Sequence, residues 1–140
     1  MFSDELKAKI GNYKDFPTKN ILFRDITPIL RDPKLFSELI KKMSDRPLIK
    51  DSECIVAVDA RGFIFASALA TYFGGGFIMA RKKGKLPPPT IDVQYNTEYS
   101  MDYISMKKGS GKIIIVDDVL ATGGTLMAVN QLCEEAGYEI

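Results

Sequence analysis

Two adjacent aspartates followed by a run of small and hydroxyl-bearing residues are the chemically sharpest feature of this chain. The string is Ile113-Ile114-Ile115-Val116-Asp117-Asp118-Val119-Leu120-Ala121-Thr122-Gly123-Gly124-Thr125. Its apolar start predicts a buried strand with Asp117 and Asp118 at the carboxyl end. Paired acceptors there suit the vicinal hydroxyls of a sugar. Gly123 and Gly124 let the backbone approach a ligand closely. Backbone amides from Ala121 onward, the Thr122 and Thr125 hydroxyls and the N-terminus of a following helix make an anion cradle. A sugar phosphate satisfies both halves at once. A plain strand-turn-helix link with solvated aspartates would explain a lone Asp-Asp pair, but not the whole string. The string is neither a GxxxxGK[ST] loop nor a GxGxxG turn.

Two further segments carry charge at comparable places. Asp59-Ala60-Arg61-Gly62 stands between an apolar run and a helical pattern, where Asp59 could cap the helix. Arg81, Lys82, Lys83 and Lys85 follow another apolar run directly. A charge run is usually a solvated face, but this one starts at a strand end, where a ligand would sit.

The elements that must position these residues follow from the apolar pattern. Cys54 to Val58, Phe77 to Ala80 and Ile113 to Val116 alternate little, as strands covered on both faces do. Helical stretches are predicted from about Phe63 to Tyr72, ended by Gly74-Gly75-Gly76, and from about Leu126 to Ala136, ended by Gly137. Tyr138 to Ile140 reads as the start of a fourth core strand. Ile91 to Gln94 alternates, and with Tyr103 to Met106 it predicts an antiparallel hairpin or flap, followed by a turn at Gly109-Ser110-Gly111. Before the core, Ser3 is expected to cap a helix striped by Phe2, Leu6 and Ile10. Phe16 to Asn20 forms a loop, Ile21 to Phe23 a short strand, and Asp32-Pro33 opens a helix. Strands alternating with helices imply an α/β doubly wound sheet that binds its ligand at the carboxyl ends of the strands.

Composition bounds the rest. The 140 residues fit one domain, and 46% hydrophobic with 26% charged is ordinary for a globular protein. Nineteen basic against eighteen acidic residues leave +1, without the basic excess of a nucleic-acid binder. Histidine is absent, which removes histidine-based triads and metal sites. Cys54 and Cys133 have no CxxC spacing, as expected in a reducing, cytoplasmic setting. No run approaches about 18 apolar residues. The acidic N-terminus predicts no secretory leader.

The Asp117–Thr125 string resembles the phosphoribosyl-pyrophosphate (PRPP) motif of the type I phosphoribosyltransferases. Ile21-Leu22-Phe23-Arg24-Asp25-Ile26-Thr27-Pro28, Asp59-Ala60-Arg61-Gly62-Phe63, Arg81-Lys82-Lys83-Gly84-Lys85-Leu86-Pro87 and Glu98-Tyr99 narrow the resemblance to the adenine phosphoribosyltransferases. The segments occur in that family's order along nearly the whole chain.

The resemblance implies a mainly parallel sheet with an inserted hairpin flap and an N-terminal hood segment. It implies the transfer of a phosphoribosyl group from PRPP to adenine, giving AMP and pyrophosphate. It assigns the 5'-phosphate to Ala121, Thr122, Gly123, Gly124 and Thr125, and the ribose to Asp117 and Asp118. Pyrophosphate falls to Asp59, Ala60, Arg61 and Gly62, whose loop often carries a cis peptide in the family, with Arg81, Lys82 and Lys85. Adenine falls to Leu22, Phe23 and Arg24. Glu98, Arg61 and Lys85 are the expected catalytic groups, with Tyr99 sealing the flap. Mg2+ is expected to arrive on the pyrophosphate of PRPP, with no direct protein ligand. A homodimer in the cytoplasm is also implied, with no nucleic-acid or membrane partner. Two departures stand out: a short return arm between Glu98 and Asp117, and an end at Ile140, a few dozen residues earlier than the family pattern. The shortened form leaves a silent PRPP or AMP sensor as the alternative.

Overall fold

The computed structural model describes residues 1–96 and 100–140. They form two compact units, Met1–Lys42 and Met43–Ile140.

The first unit holds a helix, α1 (Phe2–Lys9), and an antiparallel hairpin of β1 (Gly11–Lys14) and β2 (Leu22–Asp25). It continues through α2 (Thr27–Arg31) into α3 (Pro33–Ser44), which crosses into the second unit. Ser3 does not cap α1. The helix starts two residues earlier than that cap implies, at Phe2, and its end is tied by the terminal ammonium pairing with Asp4 at 3.2 Å. Phe2 and Leu6 are half-buried as the stripe predicts, while Ile10 lies just past the helix end. The predicted strand at Ile21 to Phe23 is shifted onto Leu22–Asp25, where each residue pairs across to β1. Asp32 caps α3 as expected: its Oδ1 accepts the Leu35 and Lys34 amides at 3.1 and 3.2 Å.

The second unit contains a short helix, α4 (Pro47–Lys50), and a five-stranded sheet in the order β5-β6-β4-β3-β7. β3 (Cys54–Val58) lies between β4 (Gly76–Lys82) and β7 (Ile113–Val116), parallel to both. β5 (Ile91–Asn96) and β6 (Met101–Met106) form the predicted antiparallel hairpin, and β6 joins the sheet against the end of β4. The helices pack on opposite faces. Val56, Ala80, Val93, Ile104 and Ile113 meet Val129, Leu132, Cys133 and Ala136 of α6 (Gly124–Ala136). α5 (Arg61–Phe73) packs on β3, β4 and β7 on the other side, burying Phe65, Ala66 and Leu69. β3 is therefore apolar throughout because both of its faces are covered.

Glycines stop both long helices as predicted, with Gly74 at φ 81° and Gly137 at φ 101°. The fourth core strand is reduced to one parallel bridge, Lys112 with Glu139, in which the Ile113 amide donates to the Glu139 carbonyl at 2.7 Å. The largest shift concerns the basic cluster. Arg81 and Lys82, expected to follow the Phe77–Ala80 strand, are its last residues, ending β4 paired with Ser105 and Ile104. Among the described residues no helix is long and apolar enough to cross a membrane.

Candidate functional site

At the carboxyl ends of β3 and β7 lies a cavity of about 390 Å³. One wall is Val58 to Gly62 and the other is Asp117 to Leu126. The parallel pairing of β3 with β7 brings these segments together, since both strands deliver their following loops to one edge. Of the residues singled out in the sequence, Asp59, Ala60, Arg61, Gly62, Asp117, Asp118, Ala121, Thr122, Gly123, Gly124 and Thr125 line this one cavity.

The phosphate-type loop has the local geometry its composition calls for. Gly123 precedes α6 at φ 86°, a conformation that other residues enter only with strain. Its carbonyl accepts the Met127 amide at 2.9 Å, and the Gly124 amide lies 3.4 Å from Thr122 Oγ1. The first-turn amides of α6 are thus presented at the cavity, where the helix dipole favours an anion.

The opposite wall carries the charges. The Asp59–Ala60 peptide bond is cis. Asp59 does not cap α5; its Oδ2 accepts Arg81 Nε at 2.9 Å. Arg61, the first residue of α5, bonds through Nε and Nη2 to Asp118 Oδ2. The Asp118 side chain is 8% exposed, against 31% for Arg61, so the carboxylate is the fixed partner. Gly62 is buried, and a Cβ there would stand 3.4 Å from Asp117 Oδ1.

The two aspartates differ. Asp117 belongs to the exposed loop, and its Oδ1, which faces Gly62, accepts the Asp118 amide at 2.8 Å. Loss of water around it holds the carboxyl above the ordinary range. The Asp118 amide works against that rise, the Asp118 carboxylate adds to it, and the Arg61 charge opposes it.

The remaining expected residues lie elsewhere. Arg81 reaches Asp59 and also donates from Nη1 to the Lys85 carbonyl at 3.3 Å. Lys82, its strand neighbour, points the other way, 3.8 Å from Asp102. Lys85 is exposed. Leu22, Phe23 and Arg24 lie on β2 in the first unit, where Phe23 stacks edge-on against Phe16 at 5.1 Å and Arg24 Nη1 donates to Asn12 Oδ1. Glu98 and Tyr99 fall outside the described residues. Sequence reasoning passed over Val119 and Leu120, which line the cavity although 47% and 73% exposed. The signal was available: two apolar residues between the aspartates and the loop have no core to enter.

The phosphoribosyl transferase domain family matches residues 29–140. The adenine phosphoribosyltransferase of Prochlorococcus marinus (strain MIT 9215) is 55% identical over 139 residues, covering 96% of this chain and 81% of its own. The crystal structure of adenine phosphoribosyltransferase from Thermoanaerobacter pseudethanolicus superimposes with a TM-score of 0.90 at 39% identity, over 98% of this chain and 82% of that one. The Saccharomyces cerevisiae enzyme, complexed with an imino-altritol bisphosphate and adenine, gives 0.89 at 35% identity, over 99% and 84%. On fold, motif order and identity together, the chain belongs to the adenine phosphoribosyltransferase family.

Proposed function

We propose that this protein transfers the 5-phosphoribosyl group of PRPP to adenine, forming AMP and releasing pyrophosphate in purine salvage. The observation that carries this reading is the single cavity shared by the amide loop of Ala121–Thr125, the Asp117-Asp118 pair and the Asp59–Gly62 turn. It offers an anion cradle, hydroxyl acceptors and a guanidinium within one sugar-phosphate-sized space.

In the reaction a purine nitrogen forms a bond to the anomeric carbon as the carbon–oxygen bond to pyrophosphate breaks. The sugar passes through a cation-like state, which the Asp117 and Asp118 carboxylates favour. The loop amides and Thr122 and Thr125 hold the 5'-phosphate, fixing the ribose. Arg61, the Asp59–Gly62 turn, Arg81, Lys82 and Lys85 receive the charge of the leaving pyrophosphate. Leu22, Phe23 and Arg24 offer adenine a flat apolar strand with backbone donors and acceptors. Glu98 hydrogen-bonds the purine proton, and Tyr99 helps the flap exclude water.

Mg2+ accompanies the pyrophosphate rather than a protein cage. The chemistry of the donors favours this: Asp59 and Asp118 are each engaged by an arginine. When bound, the ion would neutralise pyrophosphate oxygens. The protein acts in the cytoplasm as a homodimer; light scattering showing only monomer at working concentration would refute the dimer.

The deciding experiment mixes the protein with PRPP, Mg2+ and adenine, and separately with guanine, hypoxanthine and xanthine, and follows pyrophosphate release. Release with adenine alone is expected. Silence, with AMP still raising the melting temperature, would replace the transferase by a binding protein.

A further inference from the structure

Asp118 is more than an acceptor for a hydroxyl. Its Oδ2 takes two nitrogens of Arg61 and its side chain is almost fully enclosed. Arg81 is matched in the same way by Asp59, at 2.9 Å. The two guanidiniums nearest the Asp59–Gly62 turn therefore each carry a carboxylate, and the cavity presents ion pairs in place of bare cations. An anion entering beside Arg61 gains the attraction of the guanidinium but meets the repulsion of Asp118 at nearly the same distance, so the two largely cancel.

A ligand that brings hydroxyl groups changes that balance. A hydroxyl donated to a carboxylate makes a short, charge-assisted hydrogen bond, so the same Asp118 that repels a polyanion binds a diol.

On this basis we infer that Asp118, by neutralising Arg61, sets the discrimination between a bare polyanion and one attached to a ribose. It holds free pyrophosphate off the site while favouring ligands that carry a vicinal diol. The inference rests on the phosphoribosyl reading of this cavity and deepens it: the carboxylate is a specificity-determining group that limits occupation by the leaving group.

The test is calorimetric titration of the full chain with pyrophosphate and, separately, with AMP, at fixed Mg2+ and pH, for the wild type and Asp118→Asn. Asparagine keeps the shape and an acceptor oxygen but removes the charge. Pyrophosphate is expected to bind at least about threefold tighter to the variant, since a repelling charge is gone. AMP is expected to bind about tenfold more weakly, since a charge-assisted bond becomes a neutral one. The opposite signs are the signature. Adding Arg61→Gln to Asp118→Asn should abolish the pyrophosphate gain, because the unmasked guanidinium is its source. Asp118→Ser serves the same purpose should Asp118→Asn fail to fold. Unchanged or weaker pyrophosphate binding, in a variant whose wild-type parent binds AMP, overturns the discrimination while leaving the phosphoribosyl site standing. A wild type that binds no AMP removes the phosphoribosyl reading itself, and the inference with it.

Discussion

Asp117 and Asp118 are neighbours with opposite electrostatic situations. Asp118 is neutralised by Arg61, whereas Asp117 is short of water and beside a like charge. An acid whose folded pKa is raised holds its proton more tightly folded than unfolded. Its contribution to stability is therefore greatest below the ordinary carboxylate range and is lost as pH rises through the raised value. Under the proposed function, ribose binding wants the opposite, an ionised Asp117. Asp117→Asn should accordingly raise the melting temperature near pH 7 by roughly 1–3 °C, as removal of a modest strain would. The same change should weaken AMP binding about tenfold and flatten the acid limb of AMP affinity. Calorimetry and titration against pH measure these effects, and a lower melting temperature at neutral pH would refute the assignment. The motif itself was legible because its chemistry is local: strand, aspartates, small residues and helix follow one another in the chain. The Arg61–Asp118 bond was not, because its partners are 57 residues apart and nothing in either segment names the other.

At the scale of elements, legibility tracked how local the cause was. β3 and β7 lie where their unbroken apolar runs predict. β4 runs further than its apolar residues because Arg81 and Lys82 find backbone partners in β6, a tertiary cause without a local mark. That extension sorts the cluster by strand alternation, with Arg81 turned to Asp59 and Lys82 to Asp102. α2 was missed for its shortness, although Asp25 accepts both the amide and the hydroxyl of Thr27 at 2.9 Å, an Asx turn that leads the chain into the helix from the Ile26 cap position. Asp32 shows what a legible cap does. Its carboxyl lies below the ordinary range, chiefly because the Leu35 amide donates to it, with burial opposing and the Lys9 charge and Lys34 amide assisting. That contribution is present above the unfolded pKa and is lost as pH falls through the folded one. Asp32→Ala should lower the melting temperature by a few degrees at pH 7, and by less at pH 3, below the ordinary carboxylate value, where part of that contribution is already lost. Equal losses at both values would show that the charge is irrelevant.

On the proposed reading, the molecule divides its labour between two units. Every residue lining the phosphate-type cavity belongs to Met43–Ile140, while Leu22, Phe23 and Arg24 belong to Met1–Lys42. A chain of residues 43–140 should therefore still bind pyrophosphate and ribose 5-phosphate, within about threefold of the full protein, but lose its preference for adenine over other bases. Titration with ribose 5-phosphate, beside circular dichroism to establish folding, measures this. A folded piece that no longer binds ribose 5-phosphate would show that the cradle depends on the first unit. No boundary near residue 43 is legible in the sequence, because α3 runs through it without a change of composition.

The pairing of Cys54 with Ile113 has a kinetic consequence. The two cavity walls follow β3 and β7, strands separated in the chain by α5, β4 and the entire β5–β6 hairpin. Closing so long a loop costs entropy before any contact repays it. During refolding, helix and hairpin signals should return first, and ligand binding only when β7 docks. Regain of AMP binding is then a clock for the last long-range closure in this unit, and the anion cradle is among the latest features of the chain to form.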